Sequence, residues 1–148
     1  MQFNPLKNMA WTIESAIVRK VSTIDEHRSC FEAAEVMTKE FVGALVITDG
    51  AKIAGILTER DLMTRVVGKH KDPEKVSVQE MMTTDLIKVS PNETATDCLK
   101  LMKQHRCRHL LVFDSDEFVG IVSVRDIFML MMEEQNELIE QLEHYIGS

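Results

Sequence analysis

Gly55-Ile56-Leu57-Thr58-Glu59-Arg60-Asp61-Leu62 returns 65 residues later as Gly120-Ile121-Val122-Ser123-Val124-Arg125-Asp126-Ile127. The same offset pairs Leu45 with Leu110, Asp49 with Asp114, Met37 with Met102 and Ser29 with Thr94, and it needs no gap. A period of this length means two copies of one supersecondary unit, each too small to bury a good core alone. Two such copies packed together make a pseudo-symmetric cleft, and the repeated hydroxyl and carboxylate would face it twice.

Working outward from the repeated octapeptide, each copy reads strand, helix, strand, strand, helix. In the first, residues 21–24 form a short strand, and Ser29 with Glu32 is a capping-box pattern. Cys30, Ala33, Ala34 and Met37 then follow at the spacing of one helix face. Residues 44–48 and 53–57 are apolar, partly β-branched runs on either side of Asp49-Gly50, a hairpin signal. A helical pattern covers 59–67 and stops at Gly68. The second copy repeats the plan, with a strand over 86–89, a helix capped by Thr94 and Asp97, and strands over 109–113 and 118–122. A long helix then runs from Ser123 towards Tyr145. The fold class is α/β (α+β): two βαββα repeats related by a pseudo-two-fold, plus that C-terminal helix. The boundaries read as an N-terminal extension over 1–15, a first repeat over 16–67, a polar Gly- and Pro-containing linker over 68–80, a second repeat over 81–132 and a helical extension over 133–148.

Composition bounds the function. The chain has 148 residues, 45% of them hydrophobic, so it is one domain's worth of core. It has 24 acidic and 17 basic side chains, a net charge of −7 that disfavours a nucleic-acid partner. Cys30, Cys98 and Cys107 are odd in number and fit no zinc spacing, and Cys30 and Cys98, on apolar helix positions, read as reduced packing residues. His27, His70, His105 and His144 lie in polar stretches without ligand spacing. Although His105, Cys107 and His109 alternate, no fourth ligand is near them, so no metal is expected. No apolar run approaches the roughly 20 residues of a membrane span, and the start carries no leader pattern, so a cytoplasmic protein with no membrane partner is expected. With no Ser-His-Asp grouping, activated cysteine or metal cluster, the chain reads as a non-enzyme.

The repeated motif has two physical readings. A strand ends at Leu57 or Val122, and Thr58 or Ser123 opens a helix whose N-terminus favours a phosphate. Asp61 or Asp126, nearly one turn on, can accept two hydroxyl protons from a ribose diol. Gly55 and Gly120 leave room for the close approach of a ligand or of neighbouring backbone. Yet Thr58-x-x-Asp61 and Ser123-x-x-Asp126 equally satisfy a capping pattern that needs no ligand, and from spacing alone the cap is the better reading.

The two octapeptides, the segments Val42-Gly43-Ala44-Leu45-Val46-Ile47-Thr48-Asp49 and Cys107-Arg108-His109-Leu110-Leu111-Val112-Phe113-Asp114, and Met81-Met82-Thr83-Thr84 resemble a tandem pair of cystathionine-β-synthase-type (CBS) domains, often called a Bateman module. The resemblance covers about residues 16–132. The chain departs from the family pattern at Val46 and Leu111, where the family usually has proline. The resemblance implies composite adenine-nucleotide sites and so favours the ligand over the bare cap. One site would take Thr58, Arg60, Asp61, Thr83, Leu86, Arg108 and His109. The other would take Val18, Val42, Gly43, Ala44, Ser123, Arg125 and Asp126. Arg108 and His109 bring cations to the first, which makes it the better place for a multiply charged phosphate. The implied function is a regulatory sensor of AMP foremost, with ADP, ATP or an NAD-type dinucleotide as other candidates, acting on a partner protein with no metal required. The implied assembly is a homodimer through the last helices. A ligand-free interaction scaffold, an S-adenosylmethionine sensor and a small regulator of redox enzymes are the alternatives.

Overall fold

The computed structural model describes residues 11–147. The first ten residues of the extension read over 1–15, and Ser148, lie outside them. The described residues divide into two compact units, one formed by Lys20–Leu86 and the other by residues 11–19 together with 87–147.

The first repeat supplies β1 (Thr23–Asp25), α1 (Cys30–Glu40), β2 (Ala44–Asp49), β3 (Lys52–Thr58) and α2 (Glu59–Asp61). A three-stranded sheet has the order β1-β2-β3, with β1 parallel to β2 and β2–β3 an antiparallel hairpin. The hairpin turns on Gly50, whose φ of 61° is the left-handed conformation that glycine enters at little cost. Helix α1 starts where the sequence says it should, since the Ser29 hydroxyl accepts the Glu32 N–H at 3.1 Å. Its buried residues Cys30, Ala33 and Met37 face Leu45, Ile47 and Leu57 of the sheet.

Beyond α2 the backbone widens into one π-helical turn over Leu62–Val66 and tightens into a 3-10 turn over Val67–Lys69. The helical stretch therefore passes Gly68, its expected end, and His70 closes it in the left-handed region. Residues 68–80, read as a linker, are only partly one. Ser77 and Glu80 form a capping box for α3 (Val78–Met81), and Val78 and Met81 are buried in the core of the first unit.

The second unit repeats the plan with β4 (Lys88–Val89), α4 (Ala95–His105), β5 (His109–Asp114), β6 (Glu117–Ser123) and α5 (Val124–Gly147). Its sheet order is β4-β5-β6, again parallel then antiparallel. Thr94 caps α4 through the Asp97 N–H at 3.1 Å. Its core gathers Cys98, Met102, Leu110, Val112, Val122 and Ile127, and Ile13 and Ile17, from ahead of β1, pack into the same cluster. Burying each such isoleucine is worth about 1.5–3 kcal/mol.

Each sheet is extended by a short bridge from one of these preceding segments. Val18 and Ile121 exchange N–H···O bonds of 2.9 and 3.0 Å, and Thr83 and Ile56 exchange bonds of 2.8 and 3.0 Å. This explains Gly55 and Gly120: the close approach is by backbone. A Cβ at Gly120 would strike the Val18 carbonyl oxygen, and one at Gly55 would lie 2.7 Å from that of Thr83.

Two predictions follow from this packing. Gly55→Ala and Gly120→Ala are each expected to lose about 1–3 kcal/mol in urea unfolding, Gly120→Ala the more, because backbone cannot step aside cheaply; unchanged midpoints would show that the bridges yield. Burial, aided by Glu93 and Asp97, pushes the Cys98 thiol up to about 12, and burial with help from Glu80 raises that of Cys30. A thiolate-requiring reagent at mildly alkaline pH should therefore miss both thiols in the native protein and find all three once urea is added.

Candidate functional site

The site is built where β3 hands over to α2. Thr58 ends the strand opposite Ala44 and, still extended, is the N-cap of the helix. Its backbone N–H donates to Asp61 Oδ2 at 2.9 Å, and its Oγ1 accepts the Asp61 N–H at 3.2 Å. The capping box expected from spacing is therefore formed, and it leaves Asp61 only 9% exposed. The cap engages one carboxylate oxygen. The other, Oδ1, lies 3.6 Å from Arg65 Nη2, and Arg65 Nη1 donates to the Met81 carbonyl at 2.8 Å.

Six other predicted residues lie in the same unit. Thr83 is bridged to Ile56, two residues before Thr58. The Gly43 carbonyl accepts the Glu59 N–H at 2.9 Å, and a Cβ at Gly43 would stand 3.2 Å from Glu59 Oε1. Ala44 pairs with Thr58, while half-buried Val42 packs on the core. Arg60 is exposed on the first turn, and Leu86 is half-buried at the end of the unit.

The second unit builds the same handover. Ser123 N–H donates to Asp126 Oδ2 at 3.0 Å, the Ser123 hydroxyl donates to the same oxygen at 2.7 Å, and the Asp126 N–H returns to Ser123 Oγ at 3.1 Å. Around it, Val18 bridges Ile121, His109 pairs with Ser123, and the Arg108 carbonyl accepts the Val124 N–H at 2.9 Å. Arg125 is exposed. Thus the structure brings Thr58, Asp61, Thr83, Gly43 and Ala44 together in one unit, and Ser123, Asp126, Val18, Arg108 and His109 together in the other.

Arg65 is the residue that sequence reading passed over. Its signal is the i, i+4 spacing from Asp61, which puts an acid and a base on one helical face. The repeat sharpens its meaning, because position 65 corresponds to Leu130, buried in the second unit's core. One carboxylate therefore has a cation beside it, where the other has a leucine at the matching place.

Among the described residues there is no group of His, Cys, Asp and Glu able to hold a metal ion, and no helix is long and apolar enough to cross a membrane. What each handover offers is a carboxylate fixed by its cap through one oxygen, with a hydroxyl beside it and a glycine-permitted backbone crossing two residues upstream.

The family model for the CBS domain matches this chain twice, over residues 13–68 and 78–133. The chain belongs to the CBS domain family. Each match opens at one of the segments that bridges a sheet. Among relatives, the CBS domain-containing protein YhcV of Bacillus subtilis is 30% identical over 125 residues, 84% of this chain and 89% of that one. An inosine-5'-monophosphate dehydrogenase of Korarchaeum cryptofilum is 32% identical over 82% of this chain, which spans only 25% of that enzyme. A solved structure of a putative signal-transduction protein with CBS domains from Burkholderia ambifaria superposes with a TM-score of 0.76 at 33% identity, covering 79% of this chain and 86% of the other.

Loss of the caps is expected to be modest and similar in the two copies. Asp61→Ala and Asp126→Ala should each cost about 0.5–2 kcal/mol in urea unfolding. Arg65→Leu, which installs the second repeat's residue, should cost less than about 1 kcal/mol, since the guanidinium is 43% exposed and screened by solvent. A larger loss from Arg65→Leu would mean that its tie to Met81 holds α3 in place.

Proposed function

We propose that this CBS-domain pair is a regulatory module that binds an adenine nucleotide, AMP foremost, and alters the activity of a partner protein as a homodimer. The observation that carries the reading is the twofold recurrence of a capped carboxylate with one oxygen outside the cap. A ribose diol needs a fixed, desolvated acceptor, and the cap supplies the fixing without using both oxygens. In this reading Asp61 and Asp126 take the ribose, Thr58 and Ser123 stand next to the phosphate, and Arg108 and His109 supply positive charge for it. Arg60 and Arg125, exposed on the first turns, assist. The backbone at Thr83 and Leu86, in the unit of Asp61, and at Val18, in that of Asp126, serves adenine. ADP, ATP and NAD-type dinucleotides share these contacts. No step in this reading is catalytic, and the regulatory effect requires that the ligand favour one of two states of the module.

For the homodimer, the support is a patch that occurs twice. Met63 and Val67 follow the first motif, Phe128 and Met132 follow the second at the same offset, and all four are more than half exposed. The closed caps favour one second reading, a ligand-free interaction scaffold in which the motif is only architecture.

Calorimetric titration with AMP, ATP, NADH and S-adenosylmethionine separates the two. The expected result is binding of a phosphate-bearing ligand that Asp61→Ala weakens by roughly ten- to a hundredfold, the worth of hydrogen bonds to a charged group, with a smaller effect of Asp126→Ala. Silence from all four ligands, with both variants merely destabilised, would establish the scaffold. Binding of S-adenosylmethionine alone would replace the nucleotide by that ligand.

A further inference from the structure

The first copy departs from the second by one helical turn of unusual shape. After Asp61 the chain passes Leu62–Val66 as a π-helical turn, whereas the matching residues 127–131 lie in the regular helix α5. A π turn takes one residue more than an α turn, and it often stands at a functional place. Its effect is visible in which residue reaches the core. In the second copy Ile127 and Leu130 are buried and Met131 is half-buried. In the first, half-buried Leu62 is followed by Val66, which is 1% exposed and takes the inward place, while Arg65 is turned away from it. The widened turn therefore frees position 65 for a charged side chain that an apolar core would exclude.

The guanidinium freed in this way has two partners, both in its own unit. Its Nη2 stands 3.6 Å from Asp61 Oδ1, near enough to pair charges and too far to occupy an oxygen lone pair. Its Nη1 donates to the Met81 carbonyl at 2.8 Å. Met81 leads into Thr83, which exchanges two backbone bonds with Ile56, and the segment runs on to Leu86 at the end of the unit. One planar, permanently charged group thus joins the carboxylate assigned to the ribose with the segment assigned to adenine. The Asp126 handover is built without this link. Leu130 is buried at the place of Arg65, and Ala16, packed on the core, stands at the place of Met81. The Asp126 carboxylate accepts two bonds from Ser123, whereas that of Asp61 accepts one from Thr58 and has the cation instead.

We infer that Arg65 is a positioning residue of the Asp61 site, holding the carboxylate that meets a ribose diol in register with residues 81–86, which meet adenine. The inference rests on the nucleotide reading above and adds to it the residue that couples the two halves of one ligand. Groups fixed before a ligand arrives lose less freedom when it binds, so the Asp61 site gains an affinity that the Asp126 site lacks. The gain depends on the ribose hydroxyls, because Arg65 acts on the ligand only through Asp61 and the Met81 segment.

Calorimetric titration of the full chain with AMP and ATP, each beside its 2′-deoxy form, tests the coupling. Arg65→Leu, with a urea midpoint close to that of wild type, is expected to weaken binding of the ribonucleotide roughly tenfold. The 2′-deoxy form offers Asp61 one hydroxyl fewer, and against it the same substitution should weaken binding less than about threefold. Arg65→Lys replaces the two-armed fork by a single ammonium and should recover only part of the loss. An equal loss for the two forms would assign Arg65 to the fold of its unit and overturn the inference, as would unchanged or tighter binding. Full recovery by Arg65→Lys would show that charge alone acts and would overturn the coupling to Met81. Failure of both nucleotides to bind the wild-type chain would overturn the nucleotide reading and this inference with it.

Discussion

The interaction on which both units depend is a pair of backbone bridges that the repeats do not make for themselves. Val18 against Ile121 and Thr83 against Ile56 each exchange two N–H···O bonds with a hairpin strand. Each bridging segment lies ahead of the first strand of one repeat and closes the unit containing the other's strands: Ile13 and Ile17 enter the core with Cys98 and Val122, while Val78 and Met81 enter the core with Cys30 and Leu57. The chain therefore passes between units at Arg19–Lys20 and at Leu86–Ile87. A repeat of this size has too little apolar surface to close a core alone, and a borrowed segment supplies the missing wall.

This constraint reaches directly to the motif. A bridge at Ile56 or Ile121 requires glycine at the preceding position, because any Cβ there would strike the crossing backbone. It also fixes the strand two residues before Thr58 or Ser123, so the N-cap emerges at a determined place and angle. The cap in turn fixes the carboxylate of Asp61 or Asp126 through Oδ2. Glycine, hydroxyl and acid recur together because each makes the next one's position definite.

Much of this was legible in the sequence, for physical reasons that can be named. The hairpins and helices α1 and α4 follow from local patterns: alternating apolar runs around a turn, and Ser29 or Thr94 capping an apolar face. The hydroxyl–acid spacing announced the caps. What stayed hidden depends on contacts distant in sequence. Polarity and a proline marked 68–80 as a linker, but the burial of Val78 and Met81 is decided by the cavity they fill. The π-helical turn over Leu62–Val66 has no local signature, and Arg65 acquires its place only once Met81 is beside it. The left-handed caps at Phe41 and Arg106, and Ser115 standing where the first hairpin has Gly50, are non-glycine residues in a region that sequence reading reserves for glycine. Equivalent positions in the two copies share these conformations, so the fold imposes them against local preference.

A frame imposed this firmly leaves the two copies free to diverge wherever it does not bear load, and the differences lie next to the motif. Arg65 stands where the second copy has Leu130, and Gly43 and Ala44 where it has Arg108 and His109. These exchanges move cationic groups without disturbing a strand or a cap, so two sites of one geometry would differ in the charge they favour. The helices after the motif diverge most: the first ends at Lys69, closed by His70 in a left-handed turn, whereas the second continues through strong helix formers to Gly147. The first copy spends that segment on returning the chain to its own core through α3. The second is relieved of that task, because its core is already closed by Ile13 and Ile17, and its last helix runs on to Gly147.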